Sequence, residues 1–217
     1  MAAASTAVDK IAAAYPRMAS YASDIVRVAK NLDIDPAWLA NVINFESGGG
    51  NPAAFNSISG ASGLIQFMPG RGMSAERLGY TTAQIRALSG KDQMPLVEAY
   101  FRMTLNDVRK SRLTSQEDVY MAVFYPVAIG NPDYAFPPIV VAQNNGIRTP
   151  RDYTSMANAR ARLPVSGIGS TGVSAFTSVG GMSATTVALL ASSAALSATL
   201  FWVYREPIRK RVAQLVG

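Results

Sequence analysis

Apolar positions recur at helical spacing through most of the chain between residues 19 and 161. Ile25, Val28, Ala29 and Leu32 share one face of a 3.6-residue period and predict a helix over 21–32. Asp35-Pro36 reads as a helix start: the carboxylate caps backbone N–H groups, and proline sits where a missing N–H costs nothing. That helix carries Leu39, Val42 and Ile43 and stops at Ser47 and the run Gly48-Gly49-Gly50. Ser62 predicts a short capped helix to Phe67, ended by Pro69-Gly70. Further helices are expected over 95–109, over 117–124 with Ser115 and Asp118 at capping-box spacing, and from Thr149-Pro150 toward Arg160. Trp38, Phe101, Met103 and Phe124 read as core. Period-two patterns are scarce; Ile139-Val140-Val141 is the clearest β-branched cluster. The expected class is mainly α, a helical domain over 1–162 with no internal repeat.

The pattern changes beyond that point. Residues 163–204 hold no charged side chain. The stretch 163–183 is rich in Gly, Ser and Thr and reads as a flexible linker. The stretch 184–204 has neither Pro nor Gly, and as a helix would span about 30 Å, the thickness of a bilayer core. It ends on Phe201, Trp202 and Tyr204, then Arg205, Arg209, Lys210 and Arg211, the order found where hydrocarbon meets headgroups. A transmembrane helix over 184–204 with a basic tail over 205–217 is expected; a buried helix of a soluble core is the alternative. The first 18 residues do not read as a signal peptide, because Asp9 and Lys10 interrupt any apolar run. The positive-inside rule puts the basic tail in the cytoplasm, hence the large domain outside, with no export signal to take it there. Assembly into a particle, or another route across the envelope, removes that conflict.

Charge and composition narrow the chemistry. The net charge is +6, and the segment 205–211 alone carries four basic residues and one acid, half of that excess. No basic stripe with interleaved aromatics remains elsewhere, which argues against nucleic acid as a partner. The chain has neither Cys nor His. Disulfides, thiol nucleophiles, Ser-His pairs and zinc fingers are excluded, and catalysis must rest on carboxylates, Lys, Tyr, hydroxyls or backbone groups.

Glu46 is the residue in this pattern that reads as chemistry. It lies three residues beyond Ile43 and four beyond Val42, on the face of the buried stripe. Desolvation there raises a carboxyl pKa, and the C-terminal end of a helix disfavours negative charge. A protonated carboxyl beside a Gly-rich loop suits general acid catalysis. Read by position alone, a glutamate that snorkels to solvent from a helix end is the competing reading.

Phe45-Glu46-Ser47-Gly48-Gly49-Gly50-Asn51-Pro52, followed by Gly63-Leu64-Ile65-Gln66, resembles the soluble lytic transglycosylase family and its goose-type lysozyme relatives. The resemblance spans about 25–153 and implies a lysozyme-like helical domain that cleaves the glycan strands of peptidoglycan. It implies Glu46 as the catalytic acid, with Ser47 beside it and Gln66 as substrate-binding residues. Ala122-Val123-Phe124-Tyr125-Pro126 is similar to the family's Ala-Tyr-Asn motif, with Tyr125 as the tyrosine and Pro126 where the family has Asn. Tyr153 corresponds to a final family tyrosine, and both Tyr125 and Tyr153 are expected to bind substrate, the ring face stacking on a sugar and the hydroxyl making hydrogen bonds. For both tyrosines, core packing with a satisfied hydroxyl is the alternative.

Most glycosidases use two carboxylates. Asp33 and Asp35 belong to the far end of the Glu46 helix, and no paired acid is apparent. The resemblance implies a single-acid mechanism without cofactor or metal: the glutamate protonates the leaving oxygen, then takes a proton from the sugar's own 6-hydroxyl. The expected protein is a membrane-anchored, virion-associated lytic transglycosylase that opens the cell wall locally during phage genome entry. Its expected partners are peptidoglycan, a lipid membrane through 184–204 (the virion membrane or a bacterial inner membrane) and other virion proteins. Two alternatives stand beside it. One is a lysozyme-type hydrolase of a bacterial secretion or conjugation apparatus. The other is a non-catalytic glycan-binding structural protein of a membrane-containing virion.

Overall fold

A computed structural model describes residues 6–164. The expected span 184–204, the tail 205–217 and nearly all of the linker lie outside the described residues. No helix among the described residues is long and apolar enough to cross a membrane.

The described chain is mainly helical. It runs α1 (Ala7–Ala14), a 3-10 turn (Pro16–Tyr21), α2 (Ala22–Asn31), α3 (Pro36–Ser47), α4 (Ser74–Arg77), α5 (Thr82–Ala87), α6 (Gly90–Asp107), α7 (Gln116–Phe124), a 3-10 turn (Pro126–Ala128), α8 (Pro138–Gln143) and α9 (Pro150–Asn158). No strand occurs among the described residues, only isolated antiparallel bridges of Ser62 with Phe55 and with Phe67.

Helix α3 is the axis of the domain. Asp35 caps it by accepting a hydrogen bond from the Ala37 amide, and Pro36 occupies its first turn, as the sequence predicts. Leu39, Ala40, Val42 and Ile43 have no exposed surface and pack among α1, α2, α7 and α9. Full burial of such side chains is worth about 1.5–3 kcal/mol each for the larger ones. Phe101 and Phe124 belong to the same core, whereas Trp38 and Met103 are only half-buried at its edge.

Buried amides join the layers behind α3. Tyr15 donates its hydroxyl to Asn41 Oδ1 (2.5 Å). Asn41 Nδ2 donates to Gln116 Oε1 (3.4 Å) and to the Leu163 carbonyl (3.3 Å). Gln116 in turn donates to Asn158 Oδ1 (2.6 Å). The last described residues thus return along α3 to α1, where the Arg162 amide donates to the Tyr15 hydroxyl (2.7 Å). Ala7, Asp35, Pro36 and Pro164 border one small cavity of about 220 Å³ there.

Three local expectations are corrected. Ser62–Phe67 is a tight turn and not a helix. Ser62 and Phe67 exchange both backbone hydrogen bonds, Gly63 (φ +83°) donates to the Ala54 carbonyl, and Gln66 (φ +54°) leaves the right-handed region. Helix α6 begins at Gly90, capped by the Ser89 hydroxyl on the Asp92 amide, so Pro95 lies inside the helix. As the sixth residue of α6 it lies past the first turn, and it lacks the amide that would donate to the Lys91 carbonyl. Ile139-Val140-Val141 is helical: Pro137 and Pro138 open a turn, and only Val140 is buried against the core. For α7 the Ser115 cap holds, but the Asp118 carboxylate accepts from the Thr114 and Gly130 amides, so the reciprocal half of the box is absent.

The end of α3 depends on glycine. Gly48 (φ +62°) terminates the helix, and the Gly48 and Gly49 amides both donate to the Asn44 carbonyl. A Cβ on Gly50 (φ +83°) would fall 2.5 Å from Met18 Cγ and 2.7 Å from the Tyr21 hydroxyl, which donates to the Gly50 carbonyl (2.6 Å). A Cβ on Gly49 (φ +96°) would meet nothing within 4 Å. Both Gly→Ala changes incur the left-handed penalty, roughly 1 kcal/mol. Gly50→Ala is expected to cost about 1–3 kcal/mol more than Gly49→Ala through the added clash, measured by urea denaturation of the two variants side by side. Equal costs would mean that Met18 and Tyr21 yield freely.

Candidate active site

Glu46 sits one residue before the end of α3, where the buried stripe meets the glycine turn. It is 9 % exposed. Beneath it lies an aromatic floor. Tyr153 of α9 stacks on Phe124 of α7 (centroids 4.0 Å apart), and both Phe45 and Tyr120 meet Tyr153 edge-on (5.7 and 6.1 Å). The Tyr153 hydroxyl donates to Glu46 Oε1 (3.3 Å). Burial pushes the Glu46 carboxyl up to about 8, and the Tyr153 hydrogen bond opposes that rise in part. The carboxyl is therefore protonated at neutral pH, as expected from its place on the apolar face.

Above Glu46 opens a cleft of about 400 Å³. Its walls are the glycine turn with Asn51, the loop Phe55–Ile58, and Gln66. Among the described residues that line it, Glu46 is the only acid. Other acids near these elements lie outside the cleft lining and make local hydrogen bonds. Asp35 caps the opposite end of α3, Glu76 accepts from the Gly72 amide, and Asp92 accepts from the Ser89 hydroxyl (2.6 Å). No group of three or more acids able to hold a metal ion occurs among the described residues.

The four residues expected to contact substrate do not share one role. Gln66 lines the cleft with Glu46. Its left-handed backbone is uncommon for a residue with a side chain, and its amide donates to the Gly63 carbonyl (3.2 Å). Ser47 borders the cleft, but its hydroxyl donates to the Ile43 carbonyl (2.6 Å) and accepts from the Gly50 amide (3.1 Å). It shapes the turn and has little left to offer a ligand. Tyr153 is 1 % exposed and touches Glu46 from below, as a positioning group. Tyr125 is not among the cleft-lining residues. It packs with Tyr134 and Phe136, at 5.7 and 5.2 Å, in a neighbouring aromatic group.

Gln93 of α6 was not singled out from sequence. It is fully buried, and its four hydrogen bonds hold both walls of the cleft. Oε1 accepts from the Leu64 amide (2.9 Å), while Nε2 donates to the carbonyls of Pro52 (2.7 Å), Ile85 (2.9 Å) and Leu88 (3.3 Å). A Cβ on Gly63 would strike Gln93 Oε1 at 2.6 Å, which is why that wall needs glycine. Its helical position marks it as inward-facing, but a buried Gln has no sequence signal that identifies its partners. Asn51 and Asn56 also line the cleft, and their side-chain oxygens accept from amides of their own loop, Ala53 for Asn51 and Ile58 for Asn56.

No family model, curated protein or solved structure matches the chain.

The raised Glu46 pKa makes folding depend on pH. Between the ordinary value of 4.5 and about 8 the folded chain holds a proton that the unfolded chain releases, so stability falls as pH rises through that window. Below it both states are protonated and the penalty vanishes. Glu46→Gln lacks the penalty. Its stability relative to the unsubstituted protein is expected to grow by a few kcal/mol, about 1.4 for each tenfold change in proton affinity, between pH 4 and pH 9. Denaturation across that range measures it, and a pH-independent difference would contradict the buried acid. Tyr153→Phe removes the bond that stabilises the carboxylate, so the Glu46 titration should move above about 8, read by carboxyl-carbon NMR.

Proposed function

We propose that the domain is a lytic transglycosylase acting on peptidoglycan, built on the lysozyme-like helical plan that its motifs resemble. One observation carries the reading: a protonated, nearly dry glutamate at the base of an open cleft, with no second acid among the described lining residues. Inverting and retaining hydrolases usually work with a partner carboxylate. A single acid suffices when the nucleophile belongs to the substrate.

In this reading Glu46 gives its proton to the glycosidic oxygen as the bond from that oxygen to C1 of the muramoyl unit breaks. The resulting carboxylate takes the proton of the same sugar's 6-hydroxyl while O6 bonds to C1. Glu46 ends as it began, no water is consumed, and the new end is a 1,6-anhydro sugar. A pKa near 8 suits both halves, since the group is acid enough to donate and basic enough to recover its proton near neutral pH. Holding O6 close to C1 makes the second step effectively unimolecular. Tyr153 positions the carboxyl, and Gln66 supplies polar contact at the cleft.

The cellular setting belongs to the same proposal. A span over 184–204 would anchor the enzyme in a membrane, with 163–183 as the tether. Entry as part of a virion would bring the domain to the wall. The partners would then be glycan strands, a lipid bilayer and neighbouring virion proteins.

The full chain incubated with purified peptidoglycan is expected to release fragments lighter by one water than ordinary muramoyl ends, as read by mass spectrometry. Glu46→Gln should abolish release while the fold persists, and the rate should fall as pH rises through about 8. Ordinary reducing ends would establish a lysozyme on the same site. Binding of cell walls without release, by a folded protein, would leave a structural glycan binder.

A further inference from the structure

Four large apolar side chains stand exposed among the described residues, and two of them, Phe55 (53 %) and Ile58 (66 %), line the same cleft as Glu46. Phe55 is not on a loose loop. Its backbone pairs with Ser62, the Ala54 carbonyl accepts from the Gly63 amide (2.9 Å), and the Asn56 amide donates to the Ala61 carbonyl (2.9 Å). The ring is thus presented from the framework that Gln93 fixes through Leu64. Arg86 of α5 lays its guanidinium over one face of the ring, 4.1 Å from the centroid. Ile85, the residue before it, is fully buried beneath Gly63 and anchors that helix to the cleft wall. Arg86 makes no ion pair with any described residue.

An aromatic ring held rigidly at the rim of a saccharide cleft offers an apolar surface to the C–H face of a pyranose. A guanidinium stacked on that ring keeps its in-plane N–H donors for a planar anion, and a carboxylate fits them in pairs. The described residues that line the cleft carry no fixed negative charge to repel such a group, because the one acid among them holds a proton at neutral pH.

We propose that Phe55 and Arg86 form an accessory subsite that takes a sugar on the ring and, on the guanidinium, a carboxylate of the peptide borne by the strand. The inference rests on the peptidoglycan reading above and deepens it: the preferred substrate is a peptide-substituted glycan and not a bare one. Ile58 adds apolar surface to the same rim.

The test uses the full chain carrying Glu46→Gln, so that binding is read without cleavage. The probes are purified peptidoglycan and glycan strands stripped of their peptides by an amidase, with the lactyl carboxylates that this hydrolysis exposes then converted to amides, compared by co-sedimentation. Arg86→Gln is expected to weaken binding of peptide-bearing strands by about 5- to 10-fold, the scale of one charge-assisted contact, and to shift stripped strands less than about twofold. Phe55→Ala should weaken both forms by a similar factor. Phe55→Trp should retain binding of both, and Arg86→Lys should recover part of the peptide-dependent affinity. Thermal melts of each variant exclude misfolding. Equal effects of Arg86→Gln on the two probes, or no effect of Phe55→Ala, would overturn the subsite. Fragment release by the unsubstituted chain is scored separately. Release with no Arg86 or Phe55 effect keeps the enzyme and removes the subsite. The expected binding pattern without release keeps the subsite and removes the catalysis. No binding of either probe removes both.

Discussion

A carboxyl group can stand at the edge of an open cleft and still hold its proton at neutral pH only if most of its surroundings stay dry. The arrangement around α3 rests on that constraint. Glu46 meets it by standing where a buried helix stops: the aromatic floor of Phe45, Tyr120, Phe124 and Tyr153 lies on one side and the cleft on the other. One more turn of helix would carry backbone across the mouth of the cleft. The glycine run ends α3 at once and turns the chain aside, and Tyr21 fits tightly against Gly50 and Gly90. The position of the acid is thus fixed by where α3 can continue and where it cannot.

The walls around it are held by buried amides rather than by charges. Gln93 ties the loop after the glycine turn to the Gly63–Gln66 turn, and Asn41 with Gln116 ties α3 to α7, α9 and the returning chain. A neutral amide that satisfies its donors and its acceptor in the interior avoids the desolvation penalty of a buried ion pair and still fixes geometry. Such a framework adds no field that would force the proton off Glu46. The ion pairs of the described residues, such as Arg102 with Glu98 and Arg151 with Asp133, involve arginines that are at least partly solvent-exposed, and no residue of these pairs lines the cleft.

The boundaries of α3 could be read directly, because capping and termination are local chemistry: Asp35 and Pro36 at one end, glycine at the other. The burial and raised pKa of Glu46 followed from its register with Val42 and Ile43. What escaped was whatever depends on partners distant in sequence. Ser62 looks like a helix cap until Gly63 is seen to donate to Ala54 across the loop. Three β-branched residues at 139–141 suggest extended chain, yet two consecutive prolines before them open a helical turn and the core accepts one side chain of the three. The resemblance offers Tyr153 as a sugar-binding tyrosine with core packing as the alternative, and its place beneath the carboxyl depends on α9 packing over α7. Gln93 carries no local sign of its four partners, since any inward-facing polar residue on α6 would look the same.

The described chain begins and ends beside one end of α3, whereas its acid stands at the other. Ala7, Asp35 and Pro164 border one cavity, and from Asp35 to Glu46 the helix rises about 16 Å. A domain whose two described ends lie together is suited to circular permutation or to insertion into a host loop, because a short link can join them. The same layout sets orientation. Both described ends border the Asp35 end of α3, and the cleft stands at the Glu46 end of that axis.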